Sequence, residues 1–276
     1  MSIEVGSTFG VSFVWRQKDE RWQDDCVGVK KKQGPTVMCW GMIGWGWKGP
    51  FHIWEPESKE EREEAAKQIG LLNQAAQNKE DNLNETWRSS EEWKQLRQQE
   101  LQVAREQRQA ALQSGKKVKT IQTWQGKKFK IHKLKRGEGK GVDSWRYVTM
   151  LARPILWPEC RRHLIANSNF VLMEDNAACH NSDWTNQEQE QEGIAKVDWP
   201  PNSPDFNPIE KIWTLMKRRI QRCWGLERIT TVTQMKSVLK EEWEKISIAE
   251  INAQLSLLPK TMQLCIKQAG NNKFHA

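Results

Sequence analysis

Val171-Leu-Met-Glu-Asp-Asn-Ala-Ala-Cys-His180 and Asp198-Trp-Pro-Pro-Asn-Ser-Pro-Asp-Phe-Asn-Pro-Ile-Glu-Lys-Ile-Trp213 are the stretches on which the fold reading turns. Phe170–Met173 is a short apolar run, which fits a buried strand. A strand that emerges into Asp175 puts a carboxylate at the carboxyl edge of a sheet, where open α/β sheets place their ligands. Downstream, Asn207 reads as a helix cap, Pro208 as the first helical residue and Glu210 as part of the first turn. Thirty-four residues separate Asp175 from Glu210. Each of these residues also has a plainer reading. Glu210 could satisfy a backbone N–H in a capping box, and Asp175-Asn176 could be an ordinary turn. His180 could be a buried, satisfied histidine. Glu174 points to the opposite strand face from Asp175, so only one of the two can serve a site.

Working outward, residues 1–57 read as an antiparallel meander with strands at Gly10–Arg16, Thr36–Gly44 and Phe51–Trp54. Residues 58–114 contain no Pro and only Gly70, and are rich in Glu, Gln, Lys, Arg and Ala. They predict one or two long, mostly exposed helices projecting from the core. A connector, extended and partly β around 121–131, follows and ends in Gly137, Gly139 and Gly141. Residues 142–165 predict a helix interrupted at Pro154 and Pro158, and 181–191 a polar helix. Ile194–Trp199 predicts a second short strand, and helices follow over 208–223, 231–245 and 248–269. The order gives an α/β class with a mixed sheet flanked by helices and a long charged helical insertion. The predicted segments are 1–57, 58–141, 142–245 and a helical tail, 246–276.

Composition narrows the function. Lys and Arg number 43 against 35 Asp and Glu, a net charge of +8. Ten basic residues and one acid lie between Lys116 and Lys140, including Lys127, Lys128 and Lys130. A second cluster holds Lys217, Arg218, Arg219 and Arg222. Clustered positive charge points to a polyanion such as DNA, with a merely solvated basic face as the alternative. No run of about 18 apolar residues is present to span a membrane. The first residues lack a secretory pattern, and the six scattered cysteines show neither CxxC nor zinc spacing, which fits reduced thiols in the cytosol or nucleus.

Together, Asp-Asn-Ala-x-x-His at 175–180, Trp-Pro-x-x-Ser-Pro-Asp-x-Asn-Pro-Ile-Glu-x-x-Trp at 199–213, the 34-residue spacing and the Val37-Met-Cys-Trp-Gly41 strand resemble the DDE catalytic domain of mariner-superfamily transposases. The likeness is strongest to fungal members with long inserts and covers about 1–57 and 142–245. It implies an RNase H-like fold in which Asp175 and Glu210 hold Mg²⁺ or Mn²⁺, with Asn176 and His180 in support. It also implies double-stranded DNA as partner, transposon ends as substrate, strand cleavage and transfer as reaction, the nucleus as location, and a homodimer as a candidate assembly. Two hard cations held by carboxylates would serve both the attacking and the leaving oxygen of a phosphodiester.

The same resemblance places the family's first catalytic Asp about two positions ahead of Met1, and its helix-turn-helix region further upstream. Glu4, the nearest acid, lies an odd number of strand positions from that Asp and so on the other face. A chain beginning at Met1 is therefore expected to be nearly inert in cleavage, with a non-catalytic DNA-binding remnant as the alternative reading.

Overall fold

The computed structural model describes residues 1–5, 35–115, 128–137, 141–200, 203–224 and 229–270. β1 (Ser2–Glu4), β2 (Thr36–Gly44) and β3 (Trp47–Ile53) form one antiparallel sheet in that order. Ile3 pairs with Val37 and Trp40 with His52, with an irregularity between Gly41 and Ile43. The predicted Gly10–Arg16 strand lies outside the described residues.

β2 organises the core because it is apolar on both faces. Val37 and Cys39 enter one core with Ile3, Ile212, Trp213, Met216, Leu239 and Trp243. Met42 enters a second core with Val148, Leu151, Leu156, Trp157 and Leu172. The first core lies under α6 (Pro208–Arg219), α7 (Val232–Glu244) and α8 (Ile248–Lys267); the second lies under the helix that begins at Ser144. Helices therefore cover both sheet faces. α8, which sequence reasoning set apart as a tail, sends the fully buried Ile251 into the first core.

The expected mixed sheet is replaced by something smaller. Phe170–Met173 and Ile194–Trp199 touch through a single parallel bridge, Leu172↔Lys196. Leu172 N–H donates to Ala195 O at 2.9 Å and Val197 N–H to Leu172 O at 2.9 Å. Val171 is 47% exposed, so the run is not buried throughout. The helix over 142–165 also differs from expectation. α3 (Ser144–Arg146), a π-helical stretch (Tyr147–Leu156) and α4 (Trp157–Ala166) follow one another without a break. Pro154 lacks an N–H and would clash with an α-helical carbonyl; widening to i→i+5 bonding accommodates it. The polar helix α5 (Asp183–Gln191) lies where the sequence placed it, capped by Ser182.

The charged insertion is two helices, α1 (Lys59–Ser89) and α2 (Glu91–Gln113). Ser58 and Glu61 close a capping box on α1, and Ser90 ends α1 while capping α2. Residues 128–136 run as an extended strap antiparallel to α1. Asn84 exchanges two bonds with Phe129, Glu80 accepts from Ile131 N–H, and Asn73 exchanges two bonds with Leu134, all at 2.8–2.9 Å. The match is metric. Eleven helical steps from Asn73 to Asn84 and five extended steps from Phe129 to Leu134 both span about 16 Å. At the neck, Arg136 grips Glu57 through both terminal guanidinium nitrogens and reaches Asp143 with its Nε at 2.7 Å. Arg136 holds both carboxyls below their usual range. For Glu57 its hydrogen bond is the main cause; for Asp143 burial opposes, and the Arg146 N–H helps to outweigh it.

Candidate active site

Asp175 and Glu210 come together. Both line one cavity of about 270 Å³, with Asn176, Trp199, Ser203 and Asn207 around it. A neighbouring cleft of about 460 Å³ runs from the same two carboxylates along β2, walled by Trp40, Met42, Leu172 and Trp213.

Glu210 occupies the third position of α6, where a capping box would use it. The helix is capped differently: Asn207 accepts from Ile209 N–H, and Glu210 N–H donates to Asn207 O at 3.1 Å. At the same position of α1, α7 and α8, Glu61, Gln234 and Glu250 do reach back to their caps. The Glu210 carboxylate is thus exposed and not spent on its own helix. The capping reading is set aside by this contrast.

Asp175 is half committed. Its Oδ1 accepts from Ala177 N–H at 3.2 Å, the small turn anticipated from the sequence, and lies 2.7 Å from His180 Nδ1. The His180 contact holds the Asp175 carboxyl below its usual range against the opposing pull of burial. Burial presses the His180 pKa down, but the contact with Asp175, aided by Cys179 and Glu174, raises it to about 10. The two readings of His180 are both true: its side chain is largely buried, packed 4.6 Å from the Tyr147 ring, and it touches the site.

Glu174 points inward as strand alternation required, and is 8% exposed. Tyr147 O–H donates to its Oε1, and Lys196 Nζ lies 3.4 Å from its Oε2. Burial, followed by the Glu174 charge, pushes the Tyr147 hydroxyl far above its ordinary pKa. Lys196 also donates to His180 O at 3.0 Å and Asn181 Oδ1 at 2.9 Å. Asn181 in turn donates to Asn176 Oδ1, and Asn176 donates to Trp199 O. Sequence reasoning passed over Tyr147, Asn181 and Lys196. The available signal was a lysine between Ala195 and Val197 in an otherwise apolar run, and the chain's single tyrosine.

The two carboxylates form a hard-oxygen donor pair suited to Mg²⁺ or Mn²⁺. Among the described residues, no group of three or more His, Cys, Asp and Glu forms a metal cage. The basic residues divide. Lys127 lies outside the described residues, Lys128 sits over the Trp87 ring at 3.7 Å, and Lys130 is exposed. Arg218 is exposed, Lys217 is half-buried, and Arg219 pairs with Glu250. Within the strap, Lys133 donates to Gln77, and Arg136 belongs to the neck. Part of the positive charge is therefore structural.

The chain's sequence is similar to those of several transposases. The chain is 30% identical over 101 residues to the transposable element Tcb2 transposase of Caenorhabditis briggsae, 37% of this chain and 36% of that protein. It is 29% identical over 101 residues to the Tc1 transposase of Caenorhabditis elegans, again 37% and 36%. With the Tcb1 transposase of C. briggsae it shares 27% identity over 137 residues, 50% of this chain and 47% of that one. The chain thus spans between about a third and a half of the length of the curated relatives it matches. The model of the DDE superfamily endonuclease family matches residues 91–233, more than half of the chain, and includes both Asp175 and Glu210. By its sequence, and in keeping with its paired carboxylates, the chain belongs to the DDE superfamily endonucleases.

Proposed function

We propose that this chain is the catalytic core of a transposase that cleaves and transfers DNA strands, with Asp175 and Glu210 as its divalent-metal ligands. The observation that carries the reading is the meeting of these two carboxylates, 35 positions apart, across one cavity. That Glu210 is withheld from its helix cap supports it. Helices on both faces of the sheet support an RNase H-like arrangement, and the 34-residue spacing supports the mariner-type subclass with a fungal-type insert. Mg²⁺ or Mn²⁺ bound by the pair would activate the attacking oxygen and stabilise the leaving one.

The chain's own residues supply the rest. Ala177 N–H and His180 fix the Asp175 carboxylate through Oδ1. The Asn207 cap and Pro208 fix the start of α6 and so the height of Glu210. Lys130 and Arg218 are exposed cations suited to duplex phosphates. Acting on double-stranded chromosomal DNA, the protein would work in the nucleus, on transposon ends, as a monomer or homodimer.

The test is nicking of an end-labelled duplex with Mg²⁺, Mn²⁺ or EDTA by the chain extended with Asp-Glu and a few apolar residues ahead of Met1, where the resemblance places the family's first catalytic Asp. It is compared with the same extended chain carrying Asp175→Asn or Glu210→Gln. Metal-dependent nicking lost in both variants is the expected result. Duplex binding with no nicking under any metal would instead identify a non-catalytic DNA-binding remnant.

A further inference from the structure

A strand that ends in a catalytic carboxylate is normally held in place by its ladder neighbours. Among the described residues the ladder is one bridge long, at Leu172, three residues before Asp175. Within those residues, backbone pairing does not set the direction of Asp175. Something else must.

We propose that Lys196 is a positioning residue for Asp175, acting as a clasp with the buried Glu174 and Tyr147. The inference rests on the reading of Asp175 as a metal ligand. Residues 174, 176 and 180, which flank or touch Asp175, are each tied to this one ammonium. Glu174 is reached directly at 3.4 Å, and His180 through its carbonyl at 3.0 Å. Asn176 is reached through Asn181, which Lys196 holds at 2.9 Å. Lys196 is also the residue bridged to Leu172, so the clasp spans both segments. The network continues from Asn176 to Trp199 O, at the start of the loop that leads to Glu210. One side chain thereby sets the Asp175 turn and ties it to the other half of the site.

The chemistry suits that task. A buried carboxylate–ammonium pair is weak as a source of stability, because desolvating both ions offsets their attraction. A buried polar network whose members hold one another instead selects one geometry. Glu174 takes the Tyr147 hydroxyl on one oxygen, while its Oε2, with no hydrogen bond of its own, is balanced by the Lys196 charge 3.4 Å away. Removing Lys196 leaves that buried charge unpaired, which drives local rearrangement beside Asp175. Partners beyond the first ligand shell typically change metal affinity by 10- to 100-fold.

The chain's single tyrosine makes the test direct. Ring-¹³C-tyrosine labelling of the full chain gives one signal, from Tyr147, beside the proposed metal site. Titration with Mn²⁺ alone should broaden that signal, and its concentration dependence gives the affinity. Lys196→Met should weaken Mn²⁺ by about tenfold, shift the tyrosine signal and speed amide exchange of His180 and Asn181. Both amides donate to Ala177 O and so report the turn. Lys196→Arg, which keeps the charge but not the compact ammonium, should lose less Mn²⁺ affinity than Lys196→Met. Glu174→Gln placed on Lys196→Met should recover part of the loss, because the orphaned charge is gone.

Unchanged exchange at His180 and Asn181 in Lys196→Met would overturn the clasp whatever the metal does. Exchange raised throughout the molecule, with Mn²⁺ affinity unchanged, would reduce Lys196 to an ordinary stability residue and overturn it equally. If Mn²⁺ leaves the tyrosine signal of the parent chain untouched, the metal-site reading fails, while the exchange arm still decides the clasp.

Discussion

Glu210 shows how a single side chain can be read correctly only against its neighbours. Among the described residues, three other helices use an N3 Glu or Gln to satisfy their caps, and α6 does not. Glu210→Gln is therefore expected to leave the melting temperature within about 2 °C, because an exposed carboxylate outside any cap contributes little. In the chain extended ahead of Met1, the same change should lower metal-dependent nicking by about two orders of magnitude or more, as loss of a shared metal ligand does. Calorimetry and the labelled-duplex assay check the two halves separately. Gly41 makes the opposite case, a residue with no chemistry and a large packing role. A Cβ there would meet Trp243 Cη2 at 2.7 Å and Trp213 Cη2 at 2.8 Å. Gly41→Ala must displace packed indoles, and should cost about 1–3 kcal/mol in urea unfolding. An unchanged midpoint would show that the indoles give way freely.

At the scale of elements, the helices were legible because their ends are written in local chemistry. Ser58, Ser90, Thr231 and Ser247 each cap a helix where the sequence allowed one. The strands beside the site were not legible. Phe170–Met173 and Ile194–Trp199 have strand composition, yet one backbone bridge and the Lys196–Glu174 pair join them. Such a network joins residues 22 apart and leaves no periodic trace. Pro154 misled for a related reason, since the π-helical register that tolerates it depends on packing rather than on local preference. Asp175 and Glu210 could be singled out because motif and spacing carried them; the proposed Lys196 clasp had neither. The neck of the insertion gives the element-scale test. Arg136→Ala would leave Glu57, 6% exposed in its side chain, without its bidentate partner, and should cost on the order of 2–3 kcal/mol. Glu57 and Asp143 have folded pKa values below their unfolded ones, so their contribution is full above about pH 4.5 and is lost as pH falls through the folded values. Amide exchange at the root of α1 should therefore rise in acid for the parent chain. In Arg136→Ala it should already be raised at pH 7 and rise less in acid, since Asp143 keeps its backbone N–H partners and Glu57 keeps Arg62 nearby.

The whole molecule carries +8, but its charge is not all available to a ligand. Lys128 lies on Trp87, Arg136 on Glu57, Arg219 on Glu250 and Lys48 on the carbonyls that end α7. Duplex binding should accordingly depend on the exposed cations. Lys130→Gln, Lys135→Gln and Arg218→Gln together are expected to flatten the log–log salt dependence by up to about 2.7, near 0.9 for each phosphate no longer neutralised. Lys128→Gln should mainly loosen the strap and leave that slope alone. Fluorescence anisotropy across a salt series separates the two. A slope that ignores the triple variant would place the DNA elsewhere on the surface.

The strap has a consequence for how the molecule assembles. Its bonds to α1 join residues 45 to 61 apart, so each closes a long loop. Closing a loop of that length costs entropy before any bond offsets it, whereas α1 and α2 can form from local interactions alone. The helical arm should therefore exist before its strap docks. The strap should also be the first part to let go, opening from Phe129 toward the Arg136 neck while both cores stay closed. A brief, reversible release of this kind would uncover the Trp87 ring and free Lys128. The arm then has two arrangements of its surface charge, one with that lysine seated and one with it extended into solvent.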